Sequence, residues 1–85
     1  MDGAAPVQRL RIRVRGRVQG VGFRPYVHAL ATAHGLGGVV LNDASGVVIE
    51  VEGEGAAAFL RDLPAKAPPL ARLSRIEAEA VPATG

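Results

Sequence analysis

The segment that most constrains the fold is residues 8–18, in which apolar and basic side chains alternate strictly. The alternating residues are Leu10, Ile12 and Val14 on one parity and Arg9, Arg11, Arg13 and Arg15 on the other. A period of two over this length is typical of a β-strand with one buried face. With 85 residues and no cysteine, the chain must bury that face in one small domain without a disulfide.

A second periodicity predicts a helix after this strand. Side chains at helical spacing are Phe23, Val27, Leu30, Ala31 and His34. Pro25 would stand in the first turn, where its missing N–H costs nothing, and Gly35 would stand where helices commonly end.

Three further elements follow. Two β-rich runs, residues 39–41 and 47–52, flank a cluster of turn-forming residues and predict a hairpin. The turn-forming residues are Asn42, Asp43, Ala44, Ser45 and Gly46. Residues 56–63 predict a short helix that Pro64 ends, and residues 73–81 predict a last half-buried strand.

The element order is therefore βαββαβ, which is the order of an α+β, ferredoxin-like sandwich. We expect a four-stranded mixed, mainly antiparallel sheet with two helices on one face. In that fold the first strand lies between the third and the fourth. Its arginines would then lie between two pairs of acidic residues, Glu50 and Glu52 on one side and Glu77 and Glu79 on the other. A solvated, charge-balanced face would explain the arginine row without any function.

The composition bounds the classes of function. Ten Lys and Arg against eight Asp and Glu leave a net charge of +2, a small excess that does not by itself indicate nucleic-acid binding. No apolar run approaches the roughly 20 residues of a membrane helix, and the first six residues lack the pattern of a secretion signal. We expect one cytoplasmic domain over residues 1–85, with an ordered core at about 8–81 and no contact with a membrane.

The segment 16–25 carries the chemistry. A glycine-rich loop that follows a strand and opens a helix can turn its backbone N–H groups inward, and the helix N-terminus adds a positive dipole end. It lacks the Gly-Lys-Ser/Thr of a Walker loop and the last glycine of a dinucleotide fingerprint. The candidate phosphate-binding residues are Gln19, Gly20, Val21, Gly22, Phe23 and Arg24. Arg24 is unfavourable beside the helix dipole unless an anion binds there; a structural turn with an exposed arginine is the alternative.

Asn42 is the second candidate catalytic residue. A carboxamide both donates and accepts, so it can hold a water molecule; the alternative is that it caps its own turn, as Asp43 is expected to do. His28 and His34 lie six residues apart on one helix, do not share a face and do not have metal-ligand spacing. We expect both to be partly exposed helix residues without a catalytic role.

Two motifs in this sequence resemble a known family. Residues 16–24, GRVQGVGFR, resemble the acylphosphatase signature. Residues 35–42, GLGGVVLN, followed by Gly46 and Val47, resemble that family's second motif. The resemblance runs from about residue 8 to residue 81 and implies the same ferredoxin-like fold.

Three shorter segments are similar to one branch of that family. Residues 23–27, 41–46 and 68–72 resemble the N-terminal acylphosphatase-like domain of the hydrogenase-maturation carbamoyltransferases. That resemblance implies a domain excised from a longer protein. Its implied partners are an acyl phosphate or a phosphate or sulfate anion, the downstream domains of the parent carbamoyltransferase, and the carbamoyl-acceptor maturation protein.

The resemblance also implies a chemistry. Arg24 and the loop amides would bind the phosphoryl group, and Asn42 would orient the attacking water, without a metal or a cofactor. The implied substrate is carbamoyl phosphate, hydrolysed in [NiFe] hydrogenase maturation.

The sequence also leaves two other functions open. The first is a free-standing acylphosphatase of broad specificity. The second is an RNA-binding module of the same fold, which the sequence disfavours because the two central strands carry Arg and Glu and no stacking aromatic residue.

Overall fold

The computed structural model describes residues 8–18, 22–43, 46–68 and 72–82. Within these ranges, the side chains of Arg17, Asn42, Asp43 and Arg72 lie outside the description. The elements are β1 (Gln8–Arg17), α1 (Phe23–Ala33), β2 (Gly37–Asp43), β3 (Gly46–Gly53), α2 (Ala56–Ala65) and β4 (Arg72–Val81). The predicted element order is confirmed.

The sheet has the strand order β2-β3-β1-β4, and all three neighbouring pairs are antiparallel, so it is fully antiparallel and not mixed as expected. The predicted position of β1 between β3 and β4 is therefore confirmed. Because β1 and β2 are both antiparallel to β3, they run in the same direction and end at the same edge of the sheet. α1 connects them and starts at that edge, with five residues between the end of β1 and its own first residue.

The alternation in β1 separates a buried face from an open face. Ile12 and Val14 are buried, whereas Arg13 and Arg15 are exposed on the opposite side. α1 packs against β2 and α2, and α2 packs against β1 and β3. The buried apolar residues are Ile12, Val14, Val18, Phe23, Val27, Leu30, Val47, Ile49, Val51, Ala56, Phe59 and Leu63. Burying each large aliphatic or aromatic side chain stabilises the fold by about 1.5–3 kcal/mol before entropy is counted.

The ends of α1 are set by two glycines. Gly22, the residue before the helix, has φ 79 and ψ 16, and its carbonyl accepts the first helical bond from Tyr26 N–H at 3.2 Å. Gly35 has φ 70 and donates its N–H to the carbonyl of Thr32 at 3.0 Å. Glycine adopts this left-handed conformation without the steric cost that a Cβ brings. The predicted end of the helix at Gly35 is confirmed.

The hairpin has longer strands than predicted. β2 continues to Asp43 and β3 starts at Gly46, so only residues 44–45, which lie outside the described part, connect them. Asn42 pairs with Val47 and Asp43 pairs with Gly46. Turn-forming residues become extended here because the neighbouring strand supplies partners for their backbone groups.

α2 also continues beyond the predicted end. The prediction that Pro64 ends it was wrong, because Pro64 lies inside a helix that runs to Ala65. A proline removes one backbone donor, but the N–H of Lys66 reaches the carbonyl of Asp62 at 3.0 Å and closes the last turn. In the part of the chain that the structure describes, no helix has the length and apolar character needed to cross a bilayer.

Candidate functional site

The two predicted site segments meet at one edge of the sheet. Val14 of β1 lies opposite Val47 of β3, which in turn lies opposite Asn42 of β2. These three residues form one cross-strand row, so the backbone of Asn42 lies about 10 Å from Val14. β1 ends at Arg17, three residues beyond that row, and the chain then leads to α1. The backbone of Asn42 and the start of α1 are therefore at the same end of the molecule.

The first turn of α1 presents unpaired backbone donors. It contains no acidic residue, and none of the described side chains caps it. Among the described residues, none accepts a hydrogen bond from the N–H of Phe23 or Arg24. The first N–H groups of a helix carry the positive end of its dipole, and an anion is the partner that satisfies both the donors and the dipole.

Arg24 adds a full positive charge to the same turn. It is the second residue of α1 and is exposed. Within the described ranges it makes no ion pair and no side-chain hydrogen bond. A guanidinium at this end of a helix is repelled by the dipole, so its position costs stability unless an anion offsets it.

Phe23, one of the predicted phosphate-binding residues, has a buried side chain. Its side chain is 1% exposed and packs beside the ring of Tyr26, with 5.7 Å between the centroids. Phe23 therefore anchors the start of α1 in the core and can offer an anion only its backbone N–H. Residues 19–21 and the side chain of Asn42 lie outside the described residues, so their roles stay predictions.

The arginine row of β1 is neutralised on one side, as expected. Arg9 contacts Glu50 at 2.7 Å and Glu52 at 3.2 Å, and Arg11 contacts Glu50 at 3.0 Å. Hydrogen bonds from Arg9 and then Arg11 lower the pKa of Glu50 below its ordinary value. The hydrogen bond to Glu50 is likewise the main reason that the pKa of Arg9 is raised.

The other side of the row differs from the expectation. Glu77 and Glu79 lie opposite Arg13 and Arg11, so their predicted position beside the arginine row is confirmed. However, Glu77 forms its ion pair with Arg75 of its own strand, at 3.0 Å. Glu77 thus pairs with a residue of β4 and not with an arginine of β1.

The two histidines have different surroundings. His28 is exposed, whereas His34 is half-buried just after the end of α1 and donates from Nε2 to Oδ2 of Asp62 at 3.1 Å. Desolvation opposes the charge of Asp62, but His34 and Lys66 outweigh it, so the pKa of Asp62 is lowered. This contact was not predicted from the sequence, because its partners are 28 residues apart.

The part of the chain that the structure describes contains no cluster of metal ligands. Nowhere in these ranges do three or more His, Asp or Glu side chains come close enough together to hold a metal ion.

Comparisons with known proteins decide the family. A family model described as acylphosphatase matches residues 10–85. The chain belongs to the acylphosphatase family. It is 42% identical over 73 residues to an acylphosphatase from Thermotoga petrophila, and the match covers 82% of this chain and 80% of that protein.

Longer proteins match as well. The chain is 56% identical over 82 residues to the carbamoyltransferase HypF of Rhizobium leguminosarum bv. viciae, a match covering 95% of this chain and 11% of that protein. The crystal structure of full-length HypF in its phosphate- and nucleotide-bound form superimposes with a TM-score of 0.87 and 40% identity, covering 94% of this chain and 11% of that one. The chain thus spans about a tenth of the length of these relatives. The predicted family, its carbamoyltransferase likeness and the ferredoxin-like fold are confirmed.

Proposed function

We propose that this domain binds and hydrolyses an acyl phosphate at the sheet edge where α1 begins, and that carbamoyl phosphate is its substrate. The observation that carries the proposal is the first turn of α1. The N–H groups of Phe23 and Arg24 lack acceptors among the described residues, and the exposed guanidinium of Arg24 belongs to the same turn. Together they offer two kinds of donor to a tetrahedral oxyanion.

The proposed reaction needs positioning and charge stabilisation more than proton transfer. Water attacks phosphorus while the bond from phosphorus to the carbamate oxygen breaks, and the electron pair leaves with the carbamate. A phosphate oxygen takes the proton of the attacking water. Because carbamate leaves as a weakly basic, resonance-stabilised anion, it needs little protonation. Arg24 and the loop amides of residues 19–24 stabilise the charge on the phosphoryl oxygens.

Asn42 is assigned the second role. Its backbone lies in the row of Val14 and Val47, at the edge where β1 leads into the loop. A carboxamide oxygen accepts a hydrogen bond from water and so directs an oxygen lone pair towards phosphorus. Asn42 therefore orients the nucleophile, while Arg24 holds the electrophile.

The choice of carbamoyl phosphate comes from the longer relatives. Two of the proteins that this chain resembles are HypF proteins, one named a carbamoyltransferase and one solved with phosphate bound. In a cytoplasmic protein of that kind, the carbamate made here passes to a downstream domain for transfer, in the course of hydrogenase maturation. The carbamoyl-acceptor maturation protein is the final partner in this proposal.

The test has a binding arm and a turnover arm. Inorganic phosphate is titrated into the 15N-labelled chain, and we expect the amide signals of Gly22, Phe23 and Arg24 to move together in a saturable way. Phosphate release from carbamoyl phosphate is then measured for the parent and for Arg24→Ala. Arg61→Ala is the matched control, since Arg61 is an exposed arginine on α2. Saturable shifts elsewhere, or equal turnover in all three proteins, would refute the proposed site.

A general acylphosphatase is the second candidate. The Thermotoga petrophila acylphosphatase supports it, because this chain covers 80% of that protein. Benzoyl phosphate separates the two candidates. A higher kcat/KM for carbamoyl phosphate supports the carbamoyltransferase assignment, and a higher value for benzoyl phosphate supports the general enzyme.

A further inference from the structure

The open face of the sheet, opposite the helices, has two unlike halves. The half near the start of β1 consists of the cross-strand rows Gly37–Glu52–Arg9–Val81 and Val39–Glu50–Arg11–Glu79. Three ion-pair contacts of 2.7–3.2 Å join its arginines to its glutamates. The half near the end of β1 consists of the rows Leu41–Val48–Arg13–Glu77 and Asp43–Gly46–Arg15–Arg75.

The second half holds an excess of positive charge. Arg13 and Arg15 are exposed, and neither forms an ion pair with any residue that the structure describes. Arg15 lies directly opposite Arg75, a like-charge arrangement that destabilises a strand pair. Glu77 is the one carboxylate among the described side chains of these two rows, and it is already bonded to Arg75.

An apolar patch adjoins these arginines. Val39 is 47% exposed and Leu41 is 57% exposed, and they are the large hydrophobic residues that the described surface leaves open. Val48, half-buried, lies between Leu41 and Arg13 in one row. We call the surface formed by Val39, Leu41, Val48, Arg13, Arg15 and Arg75 the basic–apolar corner.

We propose that the basic–apolar corner is a docking surface for an acidic segment of another protein domain. Carboxylates of that segment pair with Arg13 and Arg15, and an apolar side chain next to them covers Leu41. A guanidinium fork binds a carboxylate in bidentate fashion, and an apolar anchor beside arginine is the usual composition of an interface centre. The docking does not depend on the hydrolysis proposed above.

Charge complementarity selects this partner over the alternatives. Nucleic acid would use stacking aromatic residues, but the three aromatic residues of the chain, Phe23, Tyr26 and Phe59, are all in helices. A second copy related by a twofold axis through the corner would bring arginines against arginines. It could not use Glu50 or Glu52 instead without breaking the contacts with Arg9 and Arg11. Free phosphate would leave Leu41 exposed.

The test uses the 15N-labelled 85-residue chain and a capped peptide in which glutamate and leucine alternate. We expect saturable shifts at the amides of Arg13, Leu41 and Val48. A peptide that alternates lysine and leucine, and one that alternates glutamate and serine, are expected to bind about tenfold more weakly or worse. Equal binding of all three peptides would overturn the proposal, as would shifts confined to another surface.

Variants sharpen the result. Arg13→Glu is expected to weaken the glutamate–leucine peptide about tenfold or more and to strengthen the lysine–leucine peptide, whereas Arg61→Glu on α2 changes neither. If the NMR spectrum of Arg13→Glu is no longer the dispersed spectrum of a folded protein, Arg15→Gln is used in its place. Leu41→Ser tests the anchor. Unchanged binding in these corner variants contradicts the proposal. Sedimentation shows whether the chain forms a dimer. If it does, if Leu41→Ser dissociates that dimer and if no peptide binds, the corner is a contact with a second copy instead.

Discussion

The hydroxyl of Tyr26 donates a hydrogen bond of 2.6 Å to the carbonyl oxygen of Leu63, which joins the first turns of α1 to the last turn of α2. The last carbonyls of a helix have no intrahelical donor, so this contact caps α2 from another element. The carbonyl of Asp62 is a second, longer acceptor at 3.3 Å. Because Tyr26 N–H also bonds to Gly22, the capping contact positions the start of α1 and with it the proposed phosphate site.

We predict that Tyr26→Phe lowers the free energy of unfolding by about 1 kcal/mol, the usual value of one hydrogen bond. Burial, and then the charge of Asp62, raises the pKa of Tyr26. A raised pKa gives a stabilisation that is complete below the ordinary tyrosine pKa of about 10 and is lost as the pH rises through the folded-state value. Urea unfolding of the parent and of Tyr26→Phe between neutral and alkaline pH measures this loss of stability. An equally steep alkaline loss in Tyr26→Phe would show that another group causes it.

We predict that Glu50→Gln lowers stability at neutral pH and flattens the acid side of the stability curve. The pKa of Glu50 is lowered by Arg9 and Arg11, so its contribution is present above the unfolded-state value of about 4.3 and is lost as the pH falls towards the folded-state value. Glu54→Gln is the control, since Glu54 is exposed and makes no ion pair with described residues. If both variants show the same acid profile, the ion pairs of Glu50 contribute nothing measurable.

The residues that were predictable are those whose pattern is local. The alternation of β1 predicted both its strand and, through the fold, the row that brings Glu50 and Glu52 beside its arginines. The contacts that were missed are set by tertiary packing. The spacing of His34 and Asp62 carries no periodic signal, because the pair forms only when α1 and α2 pack together.

The differences at element ends have a similar origin. Pro64 breaks a helix in isolation, but packing of Leu63 and Phe59 holds α2 against the sheet past the proline. For the candidate site, the glycine spacing predicted an anion cradle, and the structure adds the open first turn of α1. The ion pair between Glu77 and Arg75 was not predictable. A strand pattern shows which charged residues are neighbours, but not which of those neighbours a side chain will pair with.

We predict that Gly22→Ala costs about 1–2 kcal/mol of stability, the cost of a Cβ in the left-handed region, and weakens phosphate binding. Gly22 has φ 79, and no atom of the described residues lies near the position of an added Cβ, so the expected cost comes from its backbone conformation. Gly37→Ala is the control, because that position is equally open and has no positive φ. Unfolding and phosphate titrations of the two variants give the comparison. Equal stability would mean that the left-handed conformation of Gly22 is not required.

We predict opposite effects of Arg24→Ala on stability and on activity. Removing a positive charge from the N-terminus of α1 relieves its repulsion by the dipole, so the free energy of unfolding rises slightly. Phosphate affinity and turnover fall together, by about 10² or more if the guanidinium contacts the transition state. Arg24→Lys should restore part of the affinity, since it keeps the charge and loses the bidentate fork. A residue kept for structure would instead lower stability and leave phosphate affinity unchanged, and that result would contradict the proposed role.

We predict that Asn42→Ala lowers kcat about 10²-fold while inorganic phosphate binds with nearly the parent affinity. Asn42→Asp keeps the size of the side chain but adds a negative charge at the edge where α1 begins, so it should weaken phosphate binding as well. Gln8→Ala is the matched control, because Gln8 carries the same amide group in the row of Gly53, at the opposite end of β1. If Asn42→Ala loses phosphate affinity and turnover in equal proportion, Asn42 binds the phosphoryl group rather than orienting water. If neither changes, the end of β2 takes no part in the reaction, and the site consists of the loop and the first turn of α1 alone.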